Sequence, residues 1–132
     1  GWSIAERREA DTKHFTSLLT IHLITEKGRR RIAGTVMRDE PHIVALDDFW
    51  LDFVAKGLLL VSEHIEGPGI LGRVGTILGE GGVNISFVQV GRKGRGGLGV
   101  MVLGIDDPIS PPLMEKLMQL PSIRAAWVVN LP

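Results

Sequence analysis

A chain of 132 residues, 44% apolar and 23% charged, has the size of one domain or two very small ones and an ordinary globular composition. Fifteen basic residues balance fifteen acidic ones, so no global field draws it to nucleic acid or to an anionic membrane, and a near-neutral surface favours self-association. Cys is absent, which excludes disulfides, thiolate metal sites and Cys nucleophiles and fits a reducing, cytoplasmic setting.

From Gly1 to about Asp52 the pattern is strand-like. Ser17 to Thr25 reads SLLTIHLIT, rich in β-branched and aliphatic residues. Glu26-Lys27-Gly28 signals a turn, and Arg29 to Met37 reads as the return strand. Pro41 is expected to break the run. His42 to Leu46 and Phe49 to Phe53 follow as short strands around an Asp47-Asp48 turn. This half, residues 1–55, reads as a small, mostly β segment made of hairpins.

At Ala55-Lys56-Gly57 the character changes, and residues 56–132 read as a second unit. Leu58 to Ile65 is a buried strand, stopped by Gly67-Pro68-Gly69. Ile70 to Glu80 has helical spacing, with Ile70, Leu71, Val74, Ile77 and Leu78 on one stripe. Gly81-Gly82 supplies a left-handed stop. Val83 to Val90 is the next strand, Gly91 to Gly97 a loose basic hairpin loop, and Leu98 to Ile105 the return strand. Ser110 reads as an N-cap with prolines in the first turn behind it. Leu113, Met114, Leu117 and Met118 make a short amphipathic helix that Pro121 ends, and Ile123 to Leu131 is the last strand.

The order from Gly57 is β-α-β-β-α-β, the ferredoxin-like arrangement, and the chain as a whole is α+β. Leu98, Val100 and Val102 on one side of a strand, and Met101, Leu103 and Ile105 on the other, are all apolar. A sheet with one wet face would alternate, so the second face or an edge is expected to be covered by another subunit or domain. The longest apolar runs are far too short to span a membrane, and no signal peptide is expected. An opening Gly-Trp with no Met reads as the start of an excised piece of a longer protein.

Gly67-Pro68-Gly69-Ile70-Leu71-Gly72 is a literal GxGxxG between a strand and a helix, the context of a dinucleotide fingerprint. Three features count against that use. Val90-Gly91-Arg92, and no acid, stands at the end of the next strand. The following strands form a hairpin, and too little chain remains for a doubly wound sheet. The glycines instead permit a sharp turn that leaves the helix amides free for a carboxylate. Gly72, Gly75 and Gly79 recur at helical spacing and weaken the helix, so close packing against a neighbour is the expected compensation.

His64 and Glu66 close one strand and Asn84 opens the next, and these ends are expected to lie near the same helix mouth. An acceptor, an amide and an imidazole converging on helix amides can hold an amino acid by both charged groups. The plainer alternative makes His64 a buried sheet residue and Asn84 a turn residue. Arg29, Arg30 and Arg31, with Lys13 and His14, form a possible anion site or a charged hairpin end. Arg92, Lys93 and Arg95 invite a phosphate or simply line a solvated loop. No HExxH, P-loop or nucleophile elbow occurs, and His14, His22, His42 and His64 lack metal-type spacing.

Leu58 to Pro132 resembles an ACT domain, a small amino-acid-binding regulatory module. The similarity runs through His64-Ile65-Glu66-Gly67-Pro68-Gly69-Ile70-Leu71-Gly72 and Gly82-Val83-Asn84-Ile85. With Gln89-Val90-Gly91-Arg92 and Met101-Val102-Leu103, it resembles the C-terminal region of the D-3-phosphoglycerate dehydrogenase family. Leu18-Leu19-Thr20, Ala33-Gly34-Thr35-Val36 and His42 to Asp47 look like the tail of the intervening, allosteric substrate-binding domain of its longer members. That resemblance implies a parent enzyme that oxidises 3-phosphoglycerate with NAD in serine synthesis. It implies no cofactor in this piece and upstream catalytic domains as partners. It also implies paired ACT domains that bind L-serine between two chains for feedback inhibition. The matching positions are His64, Glu66 and Asn84, with Gly69, Ile70 and Leu71 at the helix start. The family usually has Asp or Asn where Glu66 stands and often Arg where Gly67 stands; Glu66 is one methylene longer and would crowd a small ligand. The regulatory part of an iron–sulfur L-serine dehydratase and a stand-alone ACT-like module are the competing readings.

Overall fold

The computed structural model describes residues 2–12, 15–26 and 28–132, with side-chain surroundings for 18–22, 24, 26 and 28–132. Two compact units divide the chain, Gly1–Ala55 and Lys56–Pro132.

The first unit is an antiparallel meander of β1 (Trp2–Thr12), β2 (Phe15–Thr25), β3 (Gly28–Met37), β4 (Glu40–Leu46) and β5 (Phe49–Val54), paired in sequence order. Lys27, in the expected turn before β3, lies outside the described residues. Pro41 does not break the chain as expected; it is the second residue of β4, opposite Val36. A proline forfeits only its donor, and its carbonyl still accepts from the Ala55 amide at 2.9 Å. The reversal falls earlier, at Arg38 and Asp39, whose φ angles of 50° and 63° make the left-handed turn that suits a two-residue hairpin. Leu18, Ala33, Val44 and Ala45 form the buried cluster of this unit.

The second unit is β6 (Gly57–Ile65), α1 (Ile70–Glu80), β7 (Ile85–Arg92), β8 (Leu98–Ile105), α2 (Pro111–Met118) and β9 (Ile123–Leu131). Its sheet order is β7-β8-β6-β9, with every neighbouring pair antiparallel, which is the ferredoxin-like βαββαβ fold. α1 forms where the apolar stripe recurs every three to four residues, and it buries Ile70, Val74 and Leu78. It ends where the Gly82 amide bonds Gly79 and the Val83 amide bonds Leu78, with Gly82 left-handed at φ 77°. That stop spends the Val83 amide, so β7 starts at Ile85 and not at Val83 as expected, and it runs on to Arg92. Ser110 caps α2 by accepting from the Leu113 amide at 3.3 Å.

Leu60, Met101, Leu103 and Ile105 from the sheet meet Val74, Leu78, Leu113 and Leu117 from the helices in one core. On the opposite face Leu59, Val61, Val100 and Val102 are buried as well, so β8 is buried on both sides from Gly99 onward, as its apolar pattern indicates. Leu78 is fully enclosed. Leu78→Ala should therefore cost about 2–5 kcal/mol, read as a lower urea midpoint with an unchanged slope.

Candidate functional site

The last inward residue of β6 is a histidine. His64 is 0% exposed and faces the helix-covered side, because its cross-strand partner is Gly99. A Cβ built on Gly99 would stand 2.7 Å from His64 Nε2, 2.9 Å from Cε1 and 3.3 Å from Glu66 Cγ. The absent side chain is what makes room for the ring.

Glu66, two residues on, turns back over this ring. Its Oε1 lies 3.0 Å from His64 Nε2, and its Oε2 lies 3.5 Å from the Arg92 guanidinium on β7. As a carboxylate it can only accept, so Nε2 carries the imidazole proton. The Glu66 amide donates to Gly97 at 2.8 Å, which ties the strand end to the β7–β8 loop. Arg92 itself pairs with Gly99 inside the sheet and so is not part of the solvated loop.

After the Gly67-Pro68-Gly69 turn, α1 begins with Gly69 at φ 84°, a conformation that a side chain would strain. No side chain caps this end, and its first turn holds no acid. The Arg73 guanidinium lies 3.6 Å from where a Gly69 Cβ would be. Arg73 leans back because helical side chains point toward the N-terminus, a signal available from its position four residues after Gly69. The sequence reading missed it, and missed Arg92 as the partner of Glu66. Ile70 buries its side chain in the core while Leu71 stays 43% exposed. The amides of Gly69, Ile70 and Leu71 and the Arg73 guanidinium thus gather at the helix mouth, one glycine turn after the Glu66 carboxylate, so both charge signs lie close together in the chain.

Asn84 is not at this mouth, contrary to expectation. β6 and β7 both run antiparallel to β8, so they are parallel to one another and their opposite ends meet opposite ends of β8. Ile85 stands at the level of Ile105 and Leu58, whereas His64 stands at Gly99. Six residues of strand separate those levels, about 20 Å. Asn84 donates instead to Asp106 at 2.8 Å, and the Asp106 amide returns a bond to the Asn84 carbonyl.

The other candidates sort by their neighbours. Gly72, Gly75 and Gly79 have nothing within 4 Å of their Cβ positions, so the expected close neighbour is not supplied by the described residues. The GxGxxG turn opens no dinucleotide crevice, because β8 lies antiparallel between the two parallel strands. Arg30 Nε holds Asp47 at 3.0 Å, and Arg31 donates to the Asp47 side chain and carbonyl, so two of the three adjacent arginines brace a hairpin. Arg29 is exposed, and Lys13 and His14 lie outside the described residues. Among the described residues no cluster of three His, Cys, Asp or Glu can hold a metal ion, and no helix is long and apolar enough to cross a membrane.

The ACT domain model matches residues 60–122, the stretch from β6 to the end of α2 that carries this mouth. Residues 60–122 belong to the ACT domain family. The ACT domain and the meander together are similar to D-3-phosphoglycerate dehydrogenases. The protein of that name from Methanocaldococcus jannaschii is 33% identical over 98% of this chain and 24% of its own length. Those from Archaeoglobus fulgidus and Bacillus subtilis are 35% and 29% identical over 99% and 100% of this chain and 25% of their own lengths. The chain thus spans about a quarter of the curated relatives it matches.

Gly99→Ala tests whether the mouth depends on the buried ring. The added methyl must displace His64 or the strand, since its closest contact is a ring enclosed on all sides. It should cost about 1–3 kcal/mol in urea unfolding. The nearby Gly96→Ala, with nothing within 4 Å but a left-handed φ of 71°, should cost no more than about 1 kcal/mol, from its backbone alone.

Proposed function

We propose that this chain is the C-terminal regulatory part of an NAD-dependent D-3-phosphoglycerate dehydrogenase, and that its ACT domain binds a small amino acid, L-serine first, at a seam between two copies. The observation that carries the reading is the uncapped start of α1, one short glycine turn after a Glu66 carboxylate held by a buried histidine. Amides and Arg73 suit a carboxylate, and Glu66 Oε2 suits an ammonium that takes the place of the exposed Arg92 guanidinium beside it. Similarity to dehydrogenases across nearly the whole chain favours that parent over a serine dehydratase. The meander is then the tail of the intervening domain, and the NAD and substrate chemistry belongs to the remaining length of the protein.

The position of Asn84 supports the seam. β7 is an edge strand of its sheet. Antiparallel pairing of two β7 edges exchanges their ends, so Asn84 of a second copy arrives at the mouth that its own copy cannot reach. An edge strand has unpaired backbone groups to offer, and Val90 on β7 keeps apolar surface exposed.

Two measurements check this. Sedimentation should show a dimer or larger even-numbered assembly at tens of micromolar; a sharp monomer there contradicts the seam. Calorimetry should show L-serine binding, weakened about ten- to hundredfold by Asn84→Ala. Glu66→Asp should also weaken it, because one methylene less pulls the carboxylate off His64. Absence of heat from serine in an intact dimer would make the domain an assembly device.

A further inference from the structure

The helix-covered face of β6 holds two polar atoms that its surroundings leave unsatisfied. Ser62 is 3% exposed and His64 0%. Ser62 Oγ and His64 Nδ1 are both buried without a hydrogen-bond partner. They share one face, since Leu60, Ser62 and His64 stand opposite Leu103, Met101 and Gly99, and Leu60, Met101 and Leu103 belong to the core beneath the helices. Each such orphan carries a desolvation penalty that a folded chain normally avoids.

The chemistry of the two atoms is complementary. Glu66 takes the Nε2 proton at 3.0 Å. A neutral imidazole has one N–H, so Nδ1 is a bare lone pair in need of a donor. The residues opposite Ser62 and His64, Met101 and Gly99 on β8 and Ala126 and Ile123 on β9, offer no side-chain donor. Ser62 has a hydroxyl proton and no acceptor. Alternate residues on one strand face stand about 6.5–7 Å apart at their Cα atoms. Two hydrogen bonds of about 2.8 Å that meet near the tetrahedral angle at one water span about 4.5 Å, a gap that side chains on Cα atoms so spaced leave between them.

We infer that Ser62 is a positioning residue that donates to His64 Nδ1 through one buried water and, with Glu66 accepting from Nε2, holds the imidazole in place from both sides. The carboxylate keeps the ring proton on Nε2, and the Ser62 bridge satisfies the lone pair that this leaves on Nδ1. Glu66 Oε1 is then fixed, and Oε2 is left facing Arg92. Without the hydroxyl, Nδ1 is left a buried, unsatisfied lone pair and the ring is held by Glu66 on one side alone. The tautomer stands independently of the amino-acid reading; only the effect on affinity rests on it.

The test is a long-range nitrogen–proton correlation spectrum of the labelled 132-residue chain, read at the His64 ring, beside calorimetry with L-serine. In the wild type Nε2 should appear protonated and Nδ1 unprotonated, displaced from the free-nitrogen position by an accepted hydrogen bond. Ser62→Ala, which removes one buried oxygen, should move Nδ1 to the free position while Nε2 stays protonated. Ser62→Thr, which keeps the hydroxyl, should restore the wild-type pattern. Serine affinity should fall about three- to tenfold in Ser62→Ala and recover in Ser62→Thr. A wild-type ring protonated at Nδ1, or ring nitrogens unchanged in Ser62→Ala, overturns the inference whatever serine does. If the spectra behave as stated and the wild type binds no serine, the amino-acid reading fails and the role of Ser62 stands.

Discussion

A histidine ring packed against a glycine across two strands holds the working end of the ACT domain in place. His64 occupies a slot on the helix side of β6 where Leu60 precedes it and where apolar residues fill the core. Its ring fits because Gly99 contributes no side chain. Burial of the ring fixes Glu66, since the carboxylate pairs with Nε2 at 3.0 Å. Glu66 in turn fixes where the chain leaves the sheet, through its amide bond to Gly97, and hence where the left-handed Gly69 starts α1. The charge pattern at the helix mouth follows from that one packing event.

The connection from β6 through α1 to β7 has two consequences of opposite kind. It makes the strands parallel, yet it leaves β8 between them. A glycine-rich turn that would otherwise suit a dinucleotide therefore has no adjacent parallel strand to form the crevice. The same geometry carries Asn84 to the far end of the sheet, where Asp106 holds it. A reading that gathers His64, Glu66 and Asn84 around one ligand then requires two copies of the chain.

In the meander a single aspartate organises its neighbours. Asp47 has a φ of 51° and receives the Arg30 guanidinium, the Arg31 amide and, at its carbonyl, the Arg31 side chain. Arg31 also lies 5.8 Å from the centre of the Trp50 ring, within cation–π range. A run of three arginines looks like an anion trap on paper, and two of them are structural struts in the fold.

The sequence by itself determined whatever depends on neighbours a few residues away. The apolar period places α1 and the strands; Ser110 and its prolines start α2; Gly81 and Gly82 end α1 with bonds that span no more than five residues. Even the unbroken apolar run of β8 announces a strand buried on both faces. The tertiary structure decided what depends on which strand lies beside which. It set Arg92 against Glu66, Gly99 against His64 and Asn84 away from both. It also moved the start of β7 past Val83, once that amide was spent on the helix stop, and kept Pro41 inside a strand where its carbonyl still had a partner. Hydrophobic period and turn chemistry act along the chain. Proximity between residues distant in sequence follows from sheet order, and that order is settled by packing the whole core at once.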